Sequence, residues 1–551
     1  MAPHIKQESP SSSPENARQK LTGRAFYESL GSPKMVLAPM VDQSEFAWRM
    51  LTRSFMSPEE SKTLLAYTPM IHSRMFKETV KFRDHHLQPS RTGLATPPKC
   101  TSTGSIHDPF LDGHPAMDRP LFVQFCANSP DELLEAARYV EPFCDAVDLN
   151  LGCPQSIARR GNYGAFLQED WGLIYRLINK LHRNLNVPVT AKMRILESKE
   201  KTLKYAQTIL SAGASIITVH GRQRDQKGHK TGLADWSVLR YLRANLPPDT
   251  VIFANGNILH HKDIDRCLEE TGADGVMSAE GNLCDPTIFA NPPNPGAEGR
   301  EYWRGRSGKG GYRMDAVFRR YMDILYQHVL EKPIPKREPL FLPSDPPDEK
   351  PKENLEIAGT DEVVDAQPPA KRQKRSKKDQ RPTSPNLLAM QPHLFHLLRF
   401  LVAKHTDIRD ALARSRAGDM LAFENVLSMV EEAVRRGLLE YEADPAKFEE
   451  PEILLGGTQD AETGHNLSSM AAVRACKRPW WICQPYVRPL PQEALEKGSL
   501  TMSKKDRRKL EEQKVIERAK AERTDVSVRE RLDQEAGLER SEMPKEAMVS
   551  G

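Results

Sequence analysis

The chain has 551 residues, 38% of them hydrophobic and 28% charged, with 42 prolines. That leaves room for a large core and a further domain but excludes order along the whole length. A formal net charge of +4 excludes a global field that attracts polyanions, so any nucleic-acid contact must come from local patches.

The opening segment "MAPHIKQESPSSSPENARQK" has neither an apolar signal core nor an arginine-rich amphipathic pattern, so neither a secretory nor a mitochondrial address is expected. Residues 1–23 are expected to be disordered. From Met35 onward short apolar runs recur: "MVLAP", "LLAYT", "LFVQF", "DAVDLN", "PVTAKM", "SIITV", "TVIFA" and "DGVM". Helical patterns lie between them, such as "PDELLEAARYVEPF" and "TLKYAQTILSAG", the latter stopping at Gly213 as a helix end should. Apolar rather than alternating strands imply a parallel sheet covered on both faces. Eight such units in about 250 residues predict an α/β fold, a (β/α)8 TIM barrel, over residues 24–305.

Within it, a Gly-, Pro- and Ser-rich stretch at about 84–118 reads as a disordered surface insertion. The helix "MDAVFRRYMDILYQHVL" then opens a smaller helical domain, residues 306–331 and 393–445. It is interrupted at 332–392 by a Pro-rich, basic insert that reads as disordered and contains "KRQKRSKKDQR". Residues 446–551 form a C-terminal extension with a charged helix at about 501–535. No apolar run is long enough to span a membrane. The cysteines are scattered, which favours a reducing compartment; Cys476 and Cys483 are close, but no second pair follows at zinc-site spacing, and no metal is expected.

Barrel enzymes assemble their sites at the carboxyl ends of the strands, which selects the residues worth weighing. Lys192, late in the fifth run, brings a cation near the barrel axis. It is either salt-bridged to an acid inside the barrel or set to stabilise an anionic cofactor such as a reduced flavin. Gln124 is either satisfied by backbone groups or offers its amide to a flavin's pyrimidine edge. "FANGNI" and "SAEGNL" put glycine and small residues after the seventh and eighth runs, where barrels commonly bind phosphate. Cys153 stands in "LNLGCPQ", on a tight loop after the fourth run. A free thiol is mostly protonated at neutral pH and can donate a proton. The other readings are a nucleophile, for which no His/Asn partner is legible, and a small buried hydrophobe. The loop position at the rim favours a functional thiol.

The motifs "LAPMVDQSEFAWRML", "FVQFCANSP", "DLNLGCPQSIARRGNYGAFL", "AKMRI", "TVHGRQRDQ", "FANGNI" and "GVMSAEGNLCDPTIF", in this order, resemble the tRNA-dihydrouridine synthase family. "YTPMIHSRMF", "SAEGNL" and "CQPYVRPLP" resemble its eukaryotic branch, which acts on positions 16 and 17 of the tRNA D-loop. The resemblance implies a flavin-dependent oxidoreductase that reduces the C5–C6 bond of uridine, with NADPH or NADH as reductant. FMN is then held by Pro39, Met40 and Val41, with Gln124, Lys192 and His220 at its ring. Asn255, Gly256, Asn257, Ala279 and Glu280 surround its phosphate. Asn150, Arg194 and Arg222 bind substrate, and Cys153 is the proton donor. Bacterial members carry Gly-Arg where this chain has Ala279-Glu280, so that phosphate contact is expected from backbone amides. "ARRGNYGAF" is expected to close over the base, its glycines allowing movement. The implied partner is tRNA, with mRNA a second candidate; no membrane and no obligate protein partner are expected, and residence is cytoplasmic, nuclear or both. The rival readings are an FMN-dependent reductase of free pyrimidines and a non-catalytic RNA-binding protein.

Overall fold

The computed structural model describes residues 20–97, 109–346, 384–449, 478–496 and 508. Nine parallel strands carry the fold: β1 Met35–Leu37, β2 Leu65–Tyr67, β3 Ile71–His72, β4 Leu121–Cys126, β5 Ala146–Leu151, β6 Val189–Arg194, β7 Ala214–His220, β8 Val251–Asn255 and β9 Gly275–Ser278. They run in the order β2-β1-β9-β8-β7-β6-β5-β4-β3, and a β2–β4 pairing closes the ring. All eight expected strands are present; β3, which sequence reading did not resolve, is a two-residue extension after β2 that pairs with β4. The strands are buried throughout except at a few residues such as Met35, Lys192 and His220, as a sheet covered on both faces requires.

The helix Gly23–Ser29 closes the amino end of the cylinder. Its Tyr27 hydroxyl donates to the carbonyl of Asp274 at 3.0 Å, and Arg24 pairs with the Asp274 carboxylate at 2.6 Å, just before β9 begins. Phe26 stacks on Phe122 of β4 at 5.9 Å. In such barrels ligands enter at the opposite, carboxyl end. The expected helix over "TLKYAQTILSAG" forms as Lys199–Ser211, and Gly213 follows it at φ +109°, where a Cβ would sit 2.4 Å from the His182 ring.

The stretch at 84–118 is not the loose insertion its composition suggests. Residues 98–108 lie outside the described residues, but both flanks are tied to the core. Arg49, fully buried on the helix Phe46–Arg53, donates through Nε to Asp118 at 2.8 Å and through Nη2 to Asp112 at 2.7 Å. The other Asp112 oxygen accepts from the Gln88 amide at 2.6 Å. Leu87, Leu94 and Leu111 are buried beside them. Polar residues that read as solvated are in fact partners of a buried cation.

The ends of the expected 332–392 insert are ordered for the same reason. Arg337 bridges to Glu424 at 2.8 Å, and the Phe341 carbonyl accepts from Arg313 at 2.7 Å. Asn386, on the helix Pro385–Leu388, accepts from the Ala47 amide at 2.8 Å, so helical structure resumes earlier than residue 393. Residues 347–383, including the basic run, are outside the described residues. The helix Met314–Ile324 opens the helical region, and Met420–Ala443 packs along it, joined by Arg319 to Glu431 at 2.6 Å. A hairpin, β10 Tyr302–Arg304 with β11 Gly310–Tyr312, precedes it.

Part of the C-terminal extension also belongs to the core: Trp481, Ile482 and Cys483 are buried, and the Trp481 carbonyl accepts from the Met314 amide at 2.9 Å. Cys483 is thus a core thiol. Barrel and helical region form one compact unit that runs to Arg488. Residues 489–551 form a second unit, described as the helix Pro491–Glu496 and Arg508; the rest of the charged helix expected at about 501–535 lies outside the described residues. No described helix is long and apolar enough to cross a membrane.

Replacing Arg49 with Met strands two buried carboxylates. The expected loss of stability is about 3–5 kcal/mol, read from denaturant unfolding of the native chain and the R49M variant.

Candidate active site

The site begins with an acid in the middle of an apolar strand. On β5, Asp148 and Asn150 share a face by the two-residue strand period. Asp148 lies in register with Gln124 of β4, and Asn150 with Lys192 of β6. Asp148 is fully buried. It accepts from the Thr190 hydroxyl at 2.6 Å and from Gln124 Nε2 at 2.8 Å. Gln124, having turned its NH2 to the acid, has its oxygen left to accept from Asn150 Nδ2 at 2.8 Å. Asn150 in turn has its oxygen left for the loop beyond the strand, where it accepts the amides of Gly152 at 3.0 Å and Cys153 at 2.9 Å. A carboxylate that only accepts thereby fixes which way two amides face, and the second amide fixes the backbone of Cys153. Burial pushes the Asp148 pKa up to about 6, against the hydrogen bonds from Thr190 and Gln124 and the charge of Lys192, so the group is mostly ionised at neutral pH.

Cys153 is held from two further sides. Arg194 Nε donates to the Gly152 carbonyl at 2.8 Å, and the Ala165 amide donates to the Cys153 carbonyl at 3.1 Å. Gly164 sits at φ +64°, and a Cβ there would lie 2.9 Å from both the Cβ and the carbonyl oxygen of Cys153. The segment expected to close over a base packs here against the Cys153 loop. It includes the short helix Ser156–Arg160, with Ala158, Tyr163 and Ala165 buried, and Gly164 serves this close approach. Tyr163, Ala158 and Cys126, with Met70 and Phe166, surround the partly exposed thiol with apolar surface.

Beyond Cys153 lies an arc of cations with neutral partners. Lys192 Nζ donates to Asn255 Oδ1 at 2.9 Å and, among the described residues, makes no ion pair, so of its two readings the salt bridge inside the barrel is not formed. Arg194 donates to the Gly152 and Gln223 carbonyls. Arg222 donates to the Gly232 carbonyl at 3.0 Å, to Asn257 Oδ1 at 2.8 Å and to His220 Nε2 at 3.1 Å. Arginine has no acceptor, so His220 must accept at Nε2 and carry its proton on Nδ1. Burial, reinforced by the three neighbouring cations, holds His220 neutral, well below its usual range. Burial is also the chief cause that brings Lys192 down to about 8 and Arg194 and Arg222 to about 10. Desolvated cations facing carbonyls are stabilised by an arriving anion. The turn after β8 completes the corner: Gly256 at φ +113° has no room for a Cβ, which would meet Ala234 at 2.6 Å, and Asn257 follows at φ +64°.

The structure thus brings Asn150, Cys153, Lys192, Arg194, His220, Arg222, Asn255, Gly256 and Asn257 to one rim. Ala279 and Glu280 begin the short helix after β9, with the Glu280 carboxylate turned to Arg488 at 2.9 Å. Pro39 and Met40 follow β1, with the Met40 amide tied to Ser44, while Val41 is 55% exposed. Gln124, expected at a flavin ring, is buried, with Nε2 donating to Asp148 and its oxygen accepting from Asn150. Asn150, expected on substrate, spends its oxygen on the Cys153 loop and retains one free amide hydrogen. Sequence reading took Gly164 for a source of movement and missed Asp148, Thr190 and Arg488. Of these only Asp148 was signalled, as the acid two residues before Asn150 in "DAVDLN".

Comparison with known proteins identifies the family. The dihydrouridine synthase family (Dus) matches residues 36–301. The tRNA-dihydrouridine(16/17) synthase [NAD(P)(+)] of Saccharomyces cerevisiae is 40% identical over 480 residues, 87% of this chain and 89% of that one. That of Schizosaccharomyces pombe is 40% identical over 86% of this chain and 92% of its own. A human tRNA-dihydrouridine(20a/20b) synthase-like protein is 31% identical over 46% of this chain and 70% of its own. Among solved structures, a mandelate oxidase is similar at 14% identity and a TM-score of 0.28 over 46% of this chain and 67% of that one, too slight to bear on the argument. Likeness to the 16/17 enzymes extends through the helical region, whereas likeness to the 20a/20b protein covers about half as much of the chain. The chain belongs to the dihydrouridine synthase family, in its eukaryotic 16/17 branch.

Proposed function

We propose that the chain reduces uridines 16 and 17 of the tRNA D-loop to 5,6-dihydrouridine, using FMN at the barrel mouth and NADPH or NADH as the electron source. The observation that carries this reading is the Asp148–Gln124–Asn150 relay, which holds Cys153 on the same rim as Lys192, Arg194, His220 and Arg222.

The residues present fit FMN. Lys192 and His220 would take the ring side, where a cation suits the N1–C2=O edge that gains charge on reduction. Arg222, with the turn at Gly256 and Asn257 and the backbone at Ala279, would take the phosphate. When bound and reduced, FMN supplies the hydride for C6 of the uracil.

The chain's own residues do the rest. A base inside folded RNA must be everted before its C5–C6 edge is reachable. The spare hydrogen on Asn150 Nδ2 meets a uracil carbonyl, and the Cys153 thiol gives its proton to C5. The apolar wall of Tyr163, Met70 and Phe166 keeps bulk water from that proton. The helical region supplies phosphate contacts that position the RNA; Arg319 and Arg337 are excluded from that task, being committed to Glu431 and Glu424. Uridines of mRNA that present the same everted base are a second substrate class. We place the chain in the cytoplasm, the nucleus or both, on the basic run within 371–381.

Cys153→Ala is expected to bind FMN and be reduced by NADPH as the native chain is, while dihydrouridine formation on tRNA falls by roughly 10²–10⁴. Mass spectrometry of the RNA reads the product and flavin absorbance reads the rest; loss of FMN in C153A would contradict the assignment. Lys192 gives a pH test. It carries its charge below about pH 8 and loses it above. FMN affinity in the native chain should therefore fall as pH rises through about 8. In Lys192→Met it should be weak and flat across the same range, as read by flavin fluorescence titration.

A further inference from the structure

Glu280 stands where a carboxylate is least expected. It opens the short helix after β9, beside the turn at Gly256 and Asn257 and within the electrostatic reach of Arg222. An anion entering that corner would meet a negative side chain. The structure answers this with a residue more than two hundred positions later. Arg488 holds Glu280 through Nε at 3.0 Å to each carboxylate oxygen and through Nη2 at 2.9 Å, while its Nη1 donates to the Gly228 carbonyl at 3.3 Å. The arginine thereby joins the loop after β7 to the loop after β9 across the anion corner. The two charges act on Arg222 in opposite senses, Glu280 raising and Arg488 lowering a pKa that burial has brought down to about 10. Next to Arg488, Tyr486 lies under the Arg399 guanidinium at 3.5 Å, which anchors the segment to the helical region.

We propose that Arg488 is a positioning residue of the cofactor site, whose task is to cancel Glu280 so that the corner made by Arg222, Gly256 and Asn257 stays cationic toward the FMN phosphate. The pair is half-exposed, 41% for Arg488 and 34% for Glu280, and an ion pair so placed contributes little to stability. Its consequence is local. An unmasked Glu280 either repels the phosphate or captures Arg222, drawing it from His220 and Asn257. Either course weakens anion binding and leaves the fold intact. The proposal rests on the FMN reading given above.

The test is a double-mutant cycle on the full-length chain, read by FMN titration and thermal melting without RNA. Arg488→Ala is expected to weaken FMN binding by about tenfold with an unchanged melting temperature. Glu280→Gln combined with Arg488→Ala should restore affinity to within about twofold of the native chain, because no carboxylate remains to be cancelled. Native-like affinity in R488A, or a double variant as weak as R488A alone, overturns the proposal. A native chain that takes up no FMN at all overturns the cofactor reading and the proposal with it, and so is distinguishable from failure of the pair alone.

Discussion

One buried carboxylate sets the geometry on which everything at the mouth depends. Asp148 can only accept hydrogen bonds when ionised, and that asymmetry propagates. Gln124 must present its nitrogen to the acid and its oxygen to Asn150, and Asn150 must present its oxygen to the Cys153 loop. The amides have no second orientation that leaves all of these groups satisfied. A buried polar network of this kind costs stability, since Asp148 pays a desolvation penalty that shows in its raised pKa. What it gains is a thiol whose backbone is fixed by strand β5 rather than by a free loop.

The cations follow a complementary logic. Some buried arginines meet opposite charge in direct contact, as with Arg49 between Asp112 and Asp118, or Arg313 against Asp315 at 2.6 Å, while Arg53 and Arg83 donate to backbone carbonyls. At the mouth Lys192, Arg194 and Arg222 donate to carbonyls, side-chain amides and a neutral imidazole, with Asp148 and Glu280 acting on Lys192 and Arg222 at longer range. What sets the mouth cations apart is that they converge on one rim beside Cys153. The helical region is joined to the same rim. Trp48 stacks on His393 at 3.9 Å, His393 meets the Glu45 carboxylate at 2.9 Å, and the Trp48 indole donates to Asn282 at 2.7 Å on the helix that Glu280 begins. The helical region and the helix after β9 are therefore tied together through buried side chains.

Much of this was legible in the sequence. Apolar runs marked all eight barrel strands, and the residue that ends or follows each run marked the rim, because only barrel closure gathers Asn150, Lys192, His220 and Asn255. What composition misjudged was polarity. Asp112, Asp118, Arg337 and Asn386 read as solvated loop residues, yet each has a partner whose distance along the chain hides it. Gly164 read as a hinge, because a positive φ needed for close packing and one needed for movement look alike in sequence. Arg488 was beyond reach for a different reason: its meaning comes from Glu280, and nothing in a linear pattern pairs the two.

The most direct measurement interrupts the relay in its middle. Gln124→Leu removes the group between Asp148 and Asn150 while leaving Cys153 and the cations in place. With FMN pre-reduced, the single-turnover rate at which tRNA reoxidises the flavin reads the alignment of the thiol. The account expects FMN to remain bound and the rate to fall by about a hundredfold, because Asn150 loses the acceptor that orients it. A native rate, or loss of FMN as the sole defect, would contradict it.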